Sequence, residues 1–153
     1  MDTSSLIKLW EDYPPHNPAY ADLWKRFWEK CRQGLIVIPW ATWKELFYQK
    51  SDDLRAEIIK QQGKPEPFEE EIEDEAKRLE KKYESQGKLA GSRTVGESDL
   101  QNIVFAKVRK MTLVSEEKRT KEKYKIPRVC KLPEINVRCI KLAKMIEECG
   151  LLQ

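Results

Sequence analysis

The apolar positions of this chain fall into short runs with two different periods, and those periods predict its elements. "LIKLW" reads as one short helix, stopped by the prolines of "YPPHNP". Asn17 then caps a second helix, with Pro18 at its first position and Gly34 just past its end. Leu23, Trp24, Phe27, Trp28 and Cys31 recur there at helical spacing and predict one buried face. "LIVI" is a continuous apolar run of the kind found in buried parallel strands, ended by Pro39. "ATWKELFYQK" reads as a helix, and Ser51 caps the next one, "DDLRAEIIKQQ", closed by Gly63.

Beyond "KPEP", Phe68, Ile72, Ala76, Leu79 and Tyr83 sit at spacings of three and four in a peripheral helix thick with Glu and Lys. "SQGKLAGSRTVGES" predicts a polar loop. "DLQNIVFAKVRK" predicts a helix with Ser98 and Gln101 in capping-box positions. "TLVS" reads as a strand, "KRTKEKYKIPR" as a basic loop, "INVRCI" as a strand and "KLAKMIEEC" as a final helix before Gly150. Short strands alternate with helices and no Asn-Gly hairpin signal joins them. The pattern therefore predicts an α/β sandwich of parallel strands linked by helical crossovers.

Composition narrows this picture. The 153 residues fit one domain, 1–153, with a core that removes about two-thirds of the unfolded surface from water. The 40% apolar content supports a packed core, and 36% charged residues imply a heavily solvated exterior. A net charge of +3 singles out neither nucleic acid nor membrane as a partner. No run approaches the ~18–20 apolar residues that span a bilayer, so no membrane association is expected. Cys31, Cys130, Cys139 and Cys149 show no CxxC spacing, which argues against zinc and fits a reducing, cytoplasmic setting. His16, the single histidine, sits in the proline-bounded turn and reads as a surface residue.

The acids carry the candidate chemistry. Open α/β sheets bind ligands at the carboxyl ends of their strands. Glu116 and Glu117 directly follow "TLVS", and Asp99 opens the helix that feeds that strand. Glu45 lies in the first turns of the helix after "LIVI", and Asp2 precedes the first helix. Each has a plainer role available: a helix cap for Asp2, a dipole partner for Asp99, a solvated position for Glu45, and pairing with Lys118 or Arg119 for Glu116 and Glu117. Gathered at ~4 Å, each pair of these charges would cost on the order of 4 kcal/mol at an effective dielectric near 20. A hard cation, Mg²⁺ or Mn²⁺, would offset that repulsion with oxygen ligands alone.

Several stretches resemble the PIN domains, a group of metal-dependent nucleases. "MDTSSLI" is similar to their D-T/S-x-S-L opening, and "IVIPWATWKELFYQKSDDL" to the stretch in which a helical Glu follows the second strand. "GESDLQNIVFAKVRKMTLVSEEK" resembles their Asp before an apolar helix and a strand ending in T-x-D. "KIPRVC" with "INVRCIKLAKMI" resembles the close of a PIN-like subfamily of unassigned function, related to the ribonuclease toxins of toxin–antitoxin pairs. The resemblance implies a PIN-like three-layer sandwich, its short central parallel sheet flanked by helices. Only Met1 stands where the family has an apolar strand before the first aspartate, so that strand is expected to be truncated.

By the same resemblance Asp2, Glu45, Asp99 and Glu117 match the catalytic acids, and Asp2, Asp99, Glu116 and Glu117 the metal ligands. Glu117 stands for the last position of T-x-D, one methylene longer, with Ser115 in place of the threonine; Glu116 is its neighbour and substitute. The implied activity is Mg²⁺- or Mn²⁺-dependent cleavage of RNA, as the toxin of a toxin–antitoxin pair, with a protein antitoxin and a second copy of the chain as partners. The alternative is a PIN-like binding or regulatory protein without catalysis. Lys118, Arg119, Lys121, Lys123 and Lys125 would guide the RNA backbone from the basic loop, which otherwise reads as a solvated segment or a dock for an acidic antitoxin.

Overall fold

The computed structural model describes residues 1–49, 51–62, 66–84, 95–118 and 125–153. The helices form where the apolar spacing places them. Helix α1 (Thr3–Asp12) starts at Asp2, whose carboxylate accepts from the Ser5 amide, and it buries Leu6 and Leu9. Helix α2 (Ala21–Arg32) buries Leu23, Trp24, Phe27 and Trp28. Phe27 meets Trp24 and Trp28 edge to face, its centroid 4.9 Å from that of Trp28, while the two tryptophans stack on each other. Asn17 does not cap this helix as expected: it caps a separate 3-10 turn, Pro18–Tyr20, that leads into it. Gly34 follows α2 at φ +73°, a backbone state costly for residues with a Cβ.

Helices α3 (Trp40–Tyr48), α4 (Asp52–Gln62) and α5 (Glu70–Glu84) come next. Ile72, Ala76, Leu79 and Tyr83 form the buried face of α5, whereas Phe68 precedes the helix and is exposed. Helix α6 (Glu97–Arg109) begins one residue before Ser98, which lies inside it. Gly96 takes the cap position without a side-chain bond, so the expected capping box does not form. The polar loop expected over "SQGKLAGSRTVGES" lies largely outside the described residues.

Strands β1 (Leu113–Val114) and β2 (Cys139–Ile140) pair in parallel, Leu113 opposite Cys139 and Val114 opposite Ile140. Helices α7 (Ile126–Val129) and α8 (Leu142–Glu148) complete the described elements. The sheet alternates as a pleated surface must. Leu113 and Cys139 face a core built from α5, α6, α7 and residues 132–137. Val114 and Ile140 face a second core built from α1, α2, α4 and α8, with Leu46 of α3. The chain is thus a mostly helical α/β protein with a small parallel sheet between two apolar cores.

Three expectations about the strands and the basic loop are corrected. "LIVI" forms no ladder: residues 35–38 run past the sheet, and the Val37 carbonyl accepts the Met1 amine at 2.8 Å. "INVRCI" shortens to its last two residues because Asn136 sits at φ +46°, a left-handed state incompatible with a strand. Part of the expected basic loop is the short helix α7. Pro127 suits its first turn, and Ile126 and Val129 are both buried at helical spacing. Between Val37 and β1 lies Met1–Asp2, whose Asp2 amide donates to the Val114 carbonyl at 3.0 Å. Among the described residues no helix is long and apolar enough to cross a membrane.

Candidate active site

At the carboxyl end of β1 a cleft of about 460 Å³ is lined by Asp2, Glu45, Asp99 and Glu117, together with Thr3, Ser4 and Lys8 among others. Four acids spaced over 115 residues of sequence therefore share one wall-lined space. Each arrives on a different element. Asp2 is fixed as the cap of α1: its Oδ1 accepts from the Ser5 amide at 2.9 Å and the Ser5 hydroxyl at 2.6 Å. The Ser4 hydroxyl lies 3.0 Å from both of its oxygens. Both the capping role and the cleft position thus hold for the same buried side chain, 2% exposed.

Glu45 projects from α3 and is held from two sides. Thr3 Oγ1 donates to its Oε2 at 2.7 Å, and Gln49 Nε2, one turn on, to its Oε1 at 3.2 Å. Glu117 follows β1, and its Oε2 accepts the Ile126 amide at the start of α7, 3.1 Å away. Its own amide donates to the Ser115 hydroxyl at 3.2 Å, and Lys141, just beyond β2, donates to its carbonyl oxygen. Asp99 differs from the other three. It stands in the first turn of α6, where the helix dipole favours a negative charge, and none of the described residues donates a hydrogen bond to its side chain. Burial, then the neighbouring charges of Glu117, Glu45 and Asp2, push its pKa up to about 7, against a downward pull from Lys125.

Glu116 does not line the cleft. Its Oε1 accepts the Leu142 amide at 2.7 Å, satisfying one of the free N–H groups that open α8. Glu116, expected beside Glu117 in the ligand set, thus turns its Oε1 toward the start of α8. Nor are the remaining acids drawn around one point. Among the described residues, no three His, Cys, Asp or Glu side chains are grouped so as to hold a metal ion. The physical reason is visible in the bonds above: like charges repel, and each of Asp2, Glu45 and Glu117 is held back by a hydroxyl or an amide.

Of the expected cationic track, Lys118 is exposed beside Glu117, and Lys125 precedes α7 close enough to act on Asp99. Arg119, Lys121 and Lys123 lie outside the described residues. His16 is exposed in its turn, away from the cleft. Sequence reasoning passed over Thr3, Ser4, Lys8, Glu11, Gln49 and Lys141. The i, i+4 pairs Ser4/Lys8, Ile7/Glu11 and Glu45/Gln49 were the signal, since such residues stack on one helix face.

Residues 1–151 match a family described as a domain of unknown function, DUF4411. The chain belongs to the DUF4411 family. It matches no curated protein and no solved structure. The match takes in every wall of the acidic cleft, from Asp2 through Glu45 and Asp99 to Glu117. The cleft is therefore a property of the DUF4411 domain as folded in this chain, and not of any appended segment.

Proposed function

We propose that the chain is a PIN-like ribonuclease dependent on Mg²⁺ or Mn²⁺. The observation that carries the reading is the state of Asp99. Among the described residues no side chain or amide donates to the Asp99 carboxyl, which shares one cleft with three other acids and has Lys125 as an opposing charge. A cation supplied from outside would offset the repulsion among these acids. The donor set fits such an ion: carboxylate and hydroxyl oxygens from Asp2, Thr3, Ser4, Glu45, Asp99 and Glu117, with no thiol or imidazole in the cleft. Asp2, Asp99 and Glu117, which this structure does not group around one point, would draw together to hold the ion, and Glu45, anchored by Thr3, would orient a ligand. The ion would supply Lewis acidity at a phosphate. Lys118, Lys125 and Lys141 place positive charge on the same sheet edge, where a polyanion must approach an acidic wall. The apolar cores on the two faces of the sheet support the three-layer, PIN-like form of the fold.

Purified protein, Mn²⁺ and single-stranded RNA provide the test. Cleavage should depend on the metal and vanish in Asp99→Asn. Cleavage retained by that variant, or none by the native chain, sinks the proposal. The toxin role extends it: expression should arrest growth, and Asp99→Asn should not.

A second reading, a PIN-like binding or regulatory protein without catalysis, is favoured by the absence of a ready-made group of three acids among the described residues. It requires RNA or protein binding that Asp99→Asn leaves unchanged.

A further inference from the structure

Helix α3 buries Thr42 and Leu46 and turns an aromatic surface outward. Trp43 and Phe47, one turn apart, share one side of the helix, and Tyr48 follows beside them. Phe47 is 58% exposed and Tyr48 is 70% exposed. Their rings meet edge to face, with centroids 5.5 Å apart, so neither stacks on the other and ring faces stay open to solvent. Single exposed apolar residues are ordinary on a protein surface, whereas a contiguous patch marks a contact surface.

Two cations are interleaved with these rings. The Arg55 guanidinium, from α4, lies 4.6 Å from the centroid of the Trp43 ring and 4.7 Å from that of Phe47. Its Nε is buried without a hydrogen-bond partner. Among the described residues no carboxylate pairs with it, although Asp52 stands one turn before it. Stacking on the rings, and not an ion pair, holds this guanidinium. Lys44, one turn before Phe47 and Tyr48, is exposed and has no ion pair among the described residues. Lysine is depleted from the centres of protein–protein interfaces, so a lysine among these rings argues for an anionic partner. A single strand of nucleic acid presents both matching features, a π-face on every base and a phosphate at every link.

The patch joins the acidic cleft through the same helix. Glu45 and Gln49 line the cleft, and Tyr48 is next to Gln49 and three residues on from Glu45. Phe47 meets Tyr48, and Arg55 meets Phe47, so contacts run unbroken from the cleft wall to α4. We propose that Tyr48 and Phe47, flanked by Lys44 and Arg55, form a stacking platform for unpaired bases of a single strand of RNA whose backbone passes the cleft. The identity of the polymer rests on the ribonuclease reading. Tyr48 would take the base nearest the cleft and Phe47 the next, while Lys44 and Arg55 would meet the phosphates beside them.

The test is fluorescence anisotropy in chelator, where no metal supports cleavage, with a labelled oligoadenylate about ten nucleotides long. Tyr48→Ala and Phe47→Ala should each raise Kd at least about fivefold, and Tyr48→Phe, which keeps the ring, should stay within about twofold of the native chain. An abasic strand of the same length keeps the phosphates and has no base to stack. It should bind the native chain and both alanine variants alike. An unchanged Kd in either alanine variant would overturn the platform and leave this face to a protein partner. An equal loss on the abasic strand, or no binding of oligoadenylate by the native chain, would overturn it as well. The ribonuclease reading fails separately. Native chain that cleaves no RNA with Mn²⁺, while the base-dependent losses persist, would leave the platform standing on a binding protein. Cleavage alongside an unchanged Kd would keep the enzyme and remove the platform.

Discussion

The hydroxyl of Thr3 donates to the carboxylate of Glu45 at 2.7 Å, across 42 residues of sequence. It ties the first residue of α1 to the middle of α3 and fixes one wall of the acidic cleft. Thr3 is buried, 4% exposed, so the bond is shielded from water. Thr3→Val keeps the shape and removes the donor. It should lower stability by about 1–2 kcal/mol in urea unfolding. Thr3→Ser, which keeps the donor, should recover most of that loss. Equal stability of Thr3→Val and the native chain would show that the bond contributes nothing.

Asp2 has two roles that one pair of substitutions separates. Asn is as good a helix cap as Asp, whereas Ala is a poor one. Asp2→Asn should stay within about 0.5 kcal/mol of the native chain, while Asp2→Ala loses about 1–2 kcal/mol. RNA cleavage should disappear in both. Activity retained by Asp2→Asn would reduce Asp2 to a cap.

Asp99 gives the metal-free protein a pH dependence of known sign. Its pKa is near 7 when folded against an ordinary value of 3.8. Between pH about 4 and 7 the folded state keeps a proton that the unfolded state has lost. The contribution of this group to stability is therefore full below that window and is lost as pH rises through it. Asp99→Asn should flatten the window. At pH 8 it should be more stable than the native chain by on the order of 1–2 kcal/mol, the penalty being partly screened by solvent. Thermal melts in chelator from pH 4 to 8 test both statements, and a native profile that rises from pH 4 to 7 alongside an unchanged Asn profile contradicts them.

Metal should act in the opposite sense on the same side chain. At a Mn²⁺ concentration a hundred times its dissociation constant, linkage gives about 2.7 kcal/mol. For a chain of this size that is a rise in Tm of roughly 5–10 °C. The rise should be absent in Asp99→Asn and largely preserved in Glu116→Gln, whose side chain faces α8. An equal shift in all three proteins would place the ion elsewhere.

Exchange of Lys121, Lys123 and Lys125 for Ala should weaken RNA binding and flatten its salt dependence, because each lost phosphate contact releases fewer counterions. Filter binding of Asp99→Asn protein between 50 and 200 mM salt isolates this effect from cleavage. An unchanged slope would remove these lysines from the RNA path.

Local periodicity determined the helices. The spacing of Leu23, Trp24, Phe27 and Trp28, or of Ile72, Ala76, Leu79 and Tyr83, buries one face whatever the rest of the chain does. The cap at Asp2 was equally legible, because capping is a bond to an amide three residues away, whereas Asn17 caps the separate 3-10 turn and not α2. The strands were legible only in part: "TLVS" holds β1, which pairs in parallel as expected. A strand exists only through its partner, and "LIVI" met only the Met1 amine, while Asn136 cut "INVRCI" short. Only tertiary structure decided which acids share a cleft: it brought Asp2, Glu45, Asp99 and Glu117 to one edge of the sheet and turned Glu116 to α8. The reason is that periodicity reports which face of an element is buried. The meeting of side chains up to 115 positions apart depends on how cores, sheet and helix ends pack together, and no local pattern encodes that.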